Sequence, residues 1–133
     1  MKILATDMDG TFLDHLGAYD KARLDNLLDA CEAKDYVFTV ASGRALLALE
    51  ELFDGFVDRI AIIAENGALV QYKGEVLFES KLEPKDYLEI ADTTLALPTC
   101  EGVLLSGRRG AYAPNDADPA YLKAMERYYE NVM

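Results

Sequence analysis

Asp7 and Asp9, separated by Met8 and followed by Gly10 and Thr11, are the residues of this chain best suited to chemistry. They follow an apolar run, Ile3-Leu4-Ala5, that reads as a buried strand. Side chains two apart on extended backbone point to the same side. The two carboxylates therefore face one another's charge. Buried together, they require a cation between them or a proton on one of them. A hard cation such as Mg²⁺, with phosphate oxygens completing its shell, suits such a pair. One carboxylate can then attack phosphorus while the other exchanges a proton with the leaving oxygen. The same residues also make an ordinary Asp-Gly exit turn from a strand.

Two further segments could serve that chemistry. Ala41-Ser42-Gly43-Arg44 offers a hydroxyl and backbone N–H groups at a helix start, which together suit an anion. Ser42 is equally a favoured helix cap. Arg44 could reach a substrate or simply lie on the first turn. Glu65-Asn66-Gly67-Ala68 contains Asn-Gly, first of all a turn signal, with Asn66 placed to face the same rim.

The elements that must position these groups are legible from the hydrophobic pattern. Residues 2–6 form a strand. Leu24, Leu27, Leu28 and Cys31 mark one stripe of a helix capped by Asp20 and ending near Lys34. Residues 36–41 are β-branched and aromatic and form a second strand. Ser42-Gly43-Arg44 opens a second helix that stops near Asp54-Gly55. Ile60-Ala61-Ile62-Ile63 is a third strand. The order βαβαβ, with long connections, predicts a parallel sheet in an α/β fold. In such sheets a ligand sits at the carboxyl ends of the strands.

The pattern changes near residue 67. A β-hairpin turning at Lys73-Gly74 is expected, then a helix from Pro84 to about Ala96. Residues 102–105 and 111–113 read as a short strand pair. A last helix from Pro119 is expected to run to the chain end. His15 falls in an exposed loop, Arg108-Arg109 at a hairpin tip, and Tyr121, Tyr128 and Tyr129 read as packing residues.

The net charge of −11 over 133 residues excludes a nucleic-acid or anionic-membrane partner, because phosphate backbones call for Lys and Arg. An anionic substrate must therefore be held locally, by a metal ion or a nest of N–H groups. Cys31 and Cys100 lie in no zinc-like cluster and are expected to be reduced thiols of a cytoplasmic protein. No apolar stretch reaches the 18 residues or more of a membrane span.

Together Asp7-Met8-Asp9-Gly10-Thr11, Ala41-Ser42-Gly43-Arg44 and Glu65-Asn66-Gly67-Ala68 resemble the haloacid dehalogenase superfamily of phosphohydrolases, in its Cof-like branch with a type IIB cap. The resemblance implies a three-layer, Rossmann-like α/β core in residues 1–70 and part of an α+β cap in residues 71–133. It implies a Mg²⁺-dependent phosphomonoester hydrolase working on small phosphorylated metabolites such as sugar phosphates. Asp7 would be the nucleophile that forms an aspartyl-phosphate. Asp9 would be general acid and then base, with both aspartates at the metal. Gly10, Thr11, Ser42, Gly43, Arg44 and Asn66 would contact the phosphate or substrate.

The family pattern also calls for a lysine and an acidic G-D-x-x-[ND] segment beyond the cap, and neither is recognisable in these residues. In the family the first strand is central, so here it is expected to stand at a sheet edge with unpaired backbone groups. The expectation is a weak or inactive phosphatase that self-associates through that edge. The alternatives are a non-catalytic fragment or interaction module, and a phosphotransfer mutase. A receiver-type phosphoacceptor is disfavoured, since that class needs its acceptor Asp after the third strand, where Ala64-Glu65-Asn66 stands.

Overall fold

The computed structural model describes every residue except Arg127, Glu130 and Asn131. The chain forms two compact units, Met1–Glu79 and Ser80–Met133. The first is built on a five-stranded sheet: β1 (Lys2–Asp7), β2 (Tyr36–Ala41), β3 (Ala61–Ala64), β4 (Leu69–Tyr72) and β5 (Glu75–Glu79), adjacent in that order. β1, β2 and β3 are parallel, and β4 and β5 are antiparallel additions. The α/β core read from the hydrophobic pattern is therefore present. Its register decides the rest: Asp7 stands beside Ala41, and Ala41 beside Ile63. The three parallel strands thus end level with one another.

The two crossovers carry α1 (Lys21–Ala33) and α2 (Leu46–Leu52). α1 starts where expected, because the Asp20 carboxylate accepts the Arg23 N–H at 3.0 Å. Leu24, Leu28 and Cys31 of α1 are buried with Phe38 and Val40 of β2, Leu49 of α2, Phe53, and Ile60 and Ile62 around β3. Arg59, just before β3, ties itself to α1 through Asp25, Asp29 and Glu32 at 2.6, 2.7 and 2.9 Å. Those carboxylates keep the guanidinium protonated, Glu32 most of all.

Three expectations need correction. The run Ile3-Leu4-Ala5 is exposed, with Ile3 at 68% and Leu4 at 41%, because β1 stands at the end of the sheet and pairs with β2 alone among the described residues. α2 does not open at Ser42; it begins at Leu46 after Ala45, leaving residues 42–45 as a loop. The hairpin of β4 and β5 turns at Lys73-Gly74 as expected, but it extends the core sheet, since β4 pairs with β3. The first unit accordingly runs to Glu79, past the boundary at residue 70.

The second unit contains α3 (Pro84–Leu95), the hairpin of β6 (Leu105–Gly107) and β7 (Gly110–Tyr112), and α4 (Pro119–Met125). The pair of short strands is real but shifted toward its Arg108-Arg109 tip. α4 is capped by Asp118, which accepts the Ala120 N–H at 2.6 Å. It ends at Met125 and does not reach the chain end, because Val132 and Met133 lie along β7. There the Met133 N–H donates to Ala111 at 2.8 Å. Tyr121 packs its ring over Gly102, as a packing residue should; Tyr129 and Tyr128 follow the helix, with Tyr128 38% exposed.

Gln71 of β4, opposite Ile62, is 2% exposed, and its Nε2 has no hydrogen-bond partner among the described residues. A buried donor without an acceptor costs about 1–3 kcal/mol. Gln71→Leu keeps the volume and removes the donor, so the urea midpoint should rise by the equivalent of about 1 kcal/mol. A fall in midpoint would show that the amide is satisfied in solution.

Candidate active site

The site begins with Met8. It is fully buried, and it separates Asp7 from Asp9, both of which are exposed. β1 ends at Asp7, and the chain leaves the strand at Met8, where it turns the Met8 side chain into the core while both acids stay on the solvent side. The chain then turns back within residues 8–12, where the Leu13 N–H donates to the Met8 carbonyl at 3.0 Å. Gly10 makes the turn possible, with φ +76°, in the left-handed region that side chains disfavour. Phe12 anchors the turn. Its ring lies 5.4 Å from Tyr19, 5.6 Å from Phe38 and 6.0 Å from Phe53. Tyr19 is fixed in turn by its hydroxyl, which donates to the Leu52 carbonyl at 2.9 Å. Burial, and secondarily Asp54, keeps that phenol protonated above its ordinary range.

The loop after β2 is folded onto the loop after β3. The Ser42 N–H donates to the Ile63 carbonyl at 2.9 Å, continuing the sheet pairing by one residue. The Ser42 carbonyl then accepts the Asn66 N–H at 3.2 Å. Its Oγ accepts the Arg44 N–H at 3.2 Å, so this hydroxyl caps a turn in its own loop and not α2. The Arg44 carbonyl accepts the Glu65 N–H at 3.0 Å.

Asn66 sits at φ 55°, ψ 31°, and Glu65 before it at φ 52°. Two consecutive non-glycine residues in the left-handed region cost on the order of 1–3 kcal/mol each. Asn tolerates this conformation and Glu does not, so the bonds to Ser42 and Arg44 must hold Glu65 there. The strain places the Asn66 carboxamide against Gly43. A Cβ at residue 43 would lie 2.8 Å from Asn66 Oδ1.

Asp7, Ala41, Ser42, Gly43, Ile63, Asn66 and Gly67 line a cleft of about 320 Å³. Asp7, Ser42, Gly43 and Asn66, four residues singled out by sequence, therefore share one space. Gly10 and Thr11 are not part of that lining, although the Thr11 hydroxyl donates to Asp7 Oδ2 at 3.3 Å. Asp9 and Arg44 are not part of the lining. They are joined to each other, with Arg44 Nε and Nη2 donating to the two Asp9 oxygens at 3.1 and 2.6 Å. Sequence reasoning did not pair these residues, which lie far apart in the chain. It also missed the contact between Gly43 and Asn66, for which nothing short of the folded loops gives a signal.

A hard cation takes oxygen ligands, and Mg²⁺ commonly binds through one or two carboxylates with phosphate and water completing its shell. Asp7 offers that kind of ligand at the cleft. Among the described residues no group of three His, Cys, Asp or Glu side chains could hold a metal by itself. The donor set fits a cation shared with a phosphate and does not fit a closed structural site. Cys31 and Cys100 are unpaired thiols, and among the described residues no helix is long and apolar enough to cross a membrane.

Gly43→Ala should displace the end of a flexible side chain and no backbone. We expect the thermal midpoint to fall by a few degrees at most, while the Asn66 side-chain amide resonance moves clearly. An unmoved Asn66 signal would contradict this packing.

Comparison with known proteins places the chain in a family. A family model described as haloacid dehalogenase-like hydrolase matches residues 4–133. The 5-amino-6-(5-phospho-D-ribitylamino)uracil phosphatase YbjI of Escherichia coli (strain K12) is 30% identical over 132 residues, 99% of this chain and 48% of that protein. The crystal structure of SMU.1108c from Streptococcus mutans UA159 has a TM-score of 0.87 at 30% identity, covering 98% of this chain and 48% of that one. A haloacid dehalogenase-like hydrolase from B. subtilis has a TM-score of 0.72 at 21% identity, covering 93% of this chain and 42% of that one, a likeness of fold. The chain spans about half the length of these relatives. With its acidic strand end, its level loops and a family match over nearly all its residues, the chain belongs to the haloacid dehalogenase-like hydrolase family.

Proposed function

We propose that this chain carries the nucleophile half of a Mg²⁺-dependent phosphomonoesterase site. The observation that supports it best is Asp7, which ends β1 level with β2 and β3 and shares one cleft with Ser42, Gly43 and Asn66. An Asp7 oxygen attacks phosphorus, the bond from phosphorus to the ester oxygen breaks, and Asp9 gives that oxygen a proton. This leaves an aspartyl-phosphate on Asp7. Water then attacks the phosphorus, Asp9 takes its proton, and inorganic phosphate leaves as the Asp7 carboxylate is restored. Ser42 donates its hydroxyl to a phosphoryl oxygen, and the Asn66 carboxamide and the amides after Asp9 complete the cradle. Asp7 and the Asp9 backbone would hold Mg²⁺, which when bound supplies positive charge to the phosphoryl oxygens.

The substrate we propose is a small sugar or polyol phosphate. The E. coli relative is named for a phosphoribityl compound, a polyol phosphate, which supports that class. A cytoplasmic location accords with two unpaired thiols. For the 133 residues alone we propose weak turnover. Loss of one electrostatic stabiliser costs on the order of 10²–10³ in rate, and neither the family's lysine nor its G-D-x-x-[ND] segment is recognisable here.

The test is hydrolysis of p-nitrophenyl phosphate with Mg²⁺, with EDTA, and by Asp7→Asn. Slow turnover that disappears in the last two conditions is expected. Full activity in Asp7→Asn would remove the nucleophile assignment.

A second reading rests on β1. Its outer edge pairs with no strand among the described residues, and Ile3 and Leu4 are exposed beside it. Such an edge is a template for another strand. We expect light scattering to show species larger than a monomer, and Ile3→Lys to shift them toward it. A wild-type monomer at tens of micromolar would sink this reading.

A further inference from the structure

The bonds of Arg44 reach all three rim loops. Its guanidinium grips Asp9 on the turn after β1. Its N–H is capped by Ser42 in its own loop, and its carbonyl accepts Glu65 after β3. The side chain is only 10% exposed, against 42% for Asp9. A guanidinium is buried to that degree only when paired, and the fork geometry fits a carboxylate side-on through two N–H groups. Asp9 itself stands between a fully buried Met8 and a left-handed Gly10, so its backbone is fixed while its side chain projects into solvent. The Arg44 fork restrains that side chain.

We propose that Arg44 is a positioning residue that orients the Asp9 carboxylate beside the Asp7 cleft and does not itself contact the substrate. The inference rests on the reading of Asp9 as the acid–base group. Lysine cannot replace Arg44, because an ammonium lacks the two parallel donors.

The bond can be read without turnover, in the full chain, by ¹⁵N NMR of the arginine Nε–H group and the glycine amides. The Arg44 Nε–H signal is expected to be protected in the wild type and to shift and lose protection in Asp9→Asn. Arg44→Met and Arg44→Lys should both move the Gly10 amide while leaving Gly74, on the distant hairpin, in place. Where p-nitrophenyl phosphate is turned over, Arg44→Met should lower kcat at least about tenfold, part of the 10²–10⁴ attributed to general acid–base catalysis, with KM within about twofold. Adding Arg44→Met to Asp9→Asn should cost nothing more.

An Nε–H signal indifferent to Asp9→Asn overturns the proposal. So does an Arg44→Met variant that raises KM at constant kcat, the mark of a substrate contact. A wild-type chain without turnover would count against the phosphatase reading alone, since the Nε–H signal still decides the role of Arg44.

Discussion

The rim of this protein depends on parallel register. Asp7, Ala41 and Ile63 are neighbours across β1, β2 and β3, so three loops leave the sheet at one level. A slip of one residue would turn every side chain to the opposite face. Met8, which follows β1 directly, would then be drawn out of its place in the core. Burial of Met8, and of Val40 and Ile62 on the neighbouring strands, is what forbids that slip. The position of the acids is thus a consequence of core packing, set by residues that take no part in chemistry.

Given that register, the loops still have to be folded into a cradle, and polar groups do this. Ser42 uses its N–H, carbonyl and hydroxyl on three different partners. Glu65 is held in a conformation it would not choose, and Asn66 beside it lines the cleft. Strain of this kind persists only where surrounding bonds over-determine it. Here those bonds come from the loop after β2, which explains why two segments distant in sequence act as one structural piece. Gly43 is part of the same arrangement, since only a residue without Cβ leaves room for the Asn66 carboxamide.

The strands and both core helices were legible because hydrophobic period and capping are local signals, and the Asp20 cap and the Lys73-Gly74 turn show how far such signals carry. The acidic strand end was legible for the same reason, as was its company with Ser42 and Asn66, since parallel strands present their carboxyl ends together. What was not legible needed tertiary structure. Ser42-Gly43-Arg44 looks like a helix start, yet the helix waits until Leu46, because Ser42 and Arg44 are engaged with residues 63–66. The pairing of Arg44 with Asp9 joins two loops and leaves no trace in either. The exposure of Ile3-Leu4-Ala5 was hidden as well, since an apolar run reads the same at a sheet's centre and at its edge.

That last point bears on chemistry as well as on folding. Asp7 belongs to the strand at the end of the sheet, so protein surrounds it on the β2 side, while the outer side of β1 bears no paired strand among the described residues. Electrostatic stabilisation of a transferring phosphoryl group is strongest where water is excluded and donors are fixed. The proposed nucleophile, on an edge strand, has such surroundings on one flank only. Whatever segment pairs with the outer edge of β1 would satisfy its backbone groups, cover Ile3 and Leu4, and bring new side chains to the level of Asp7. The edge proposed to take up another strand is therefore also the flank on which the proposed active site lies open.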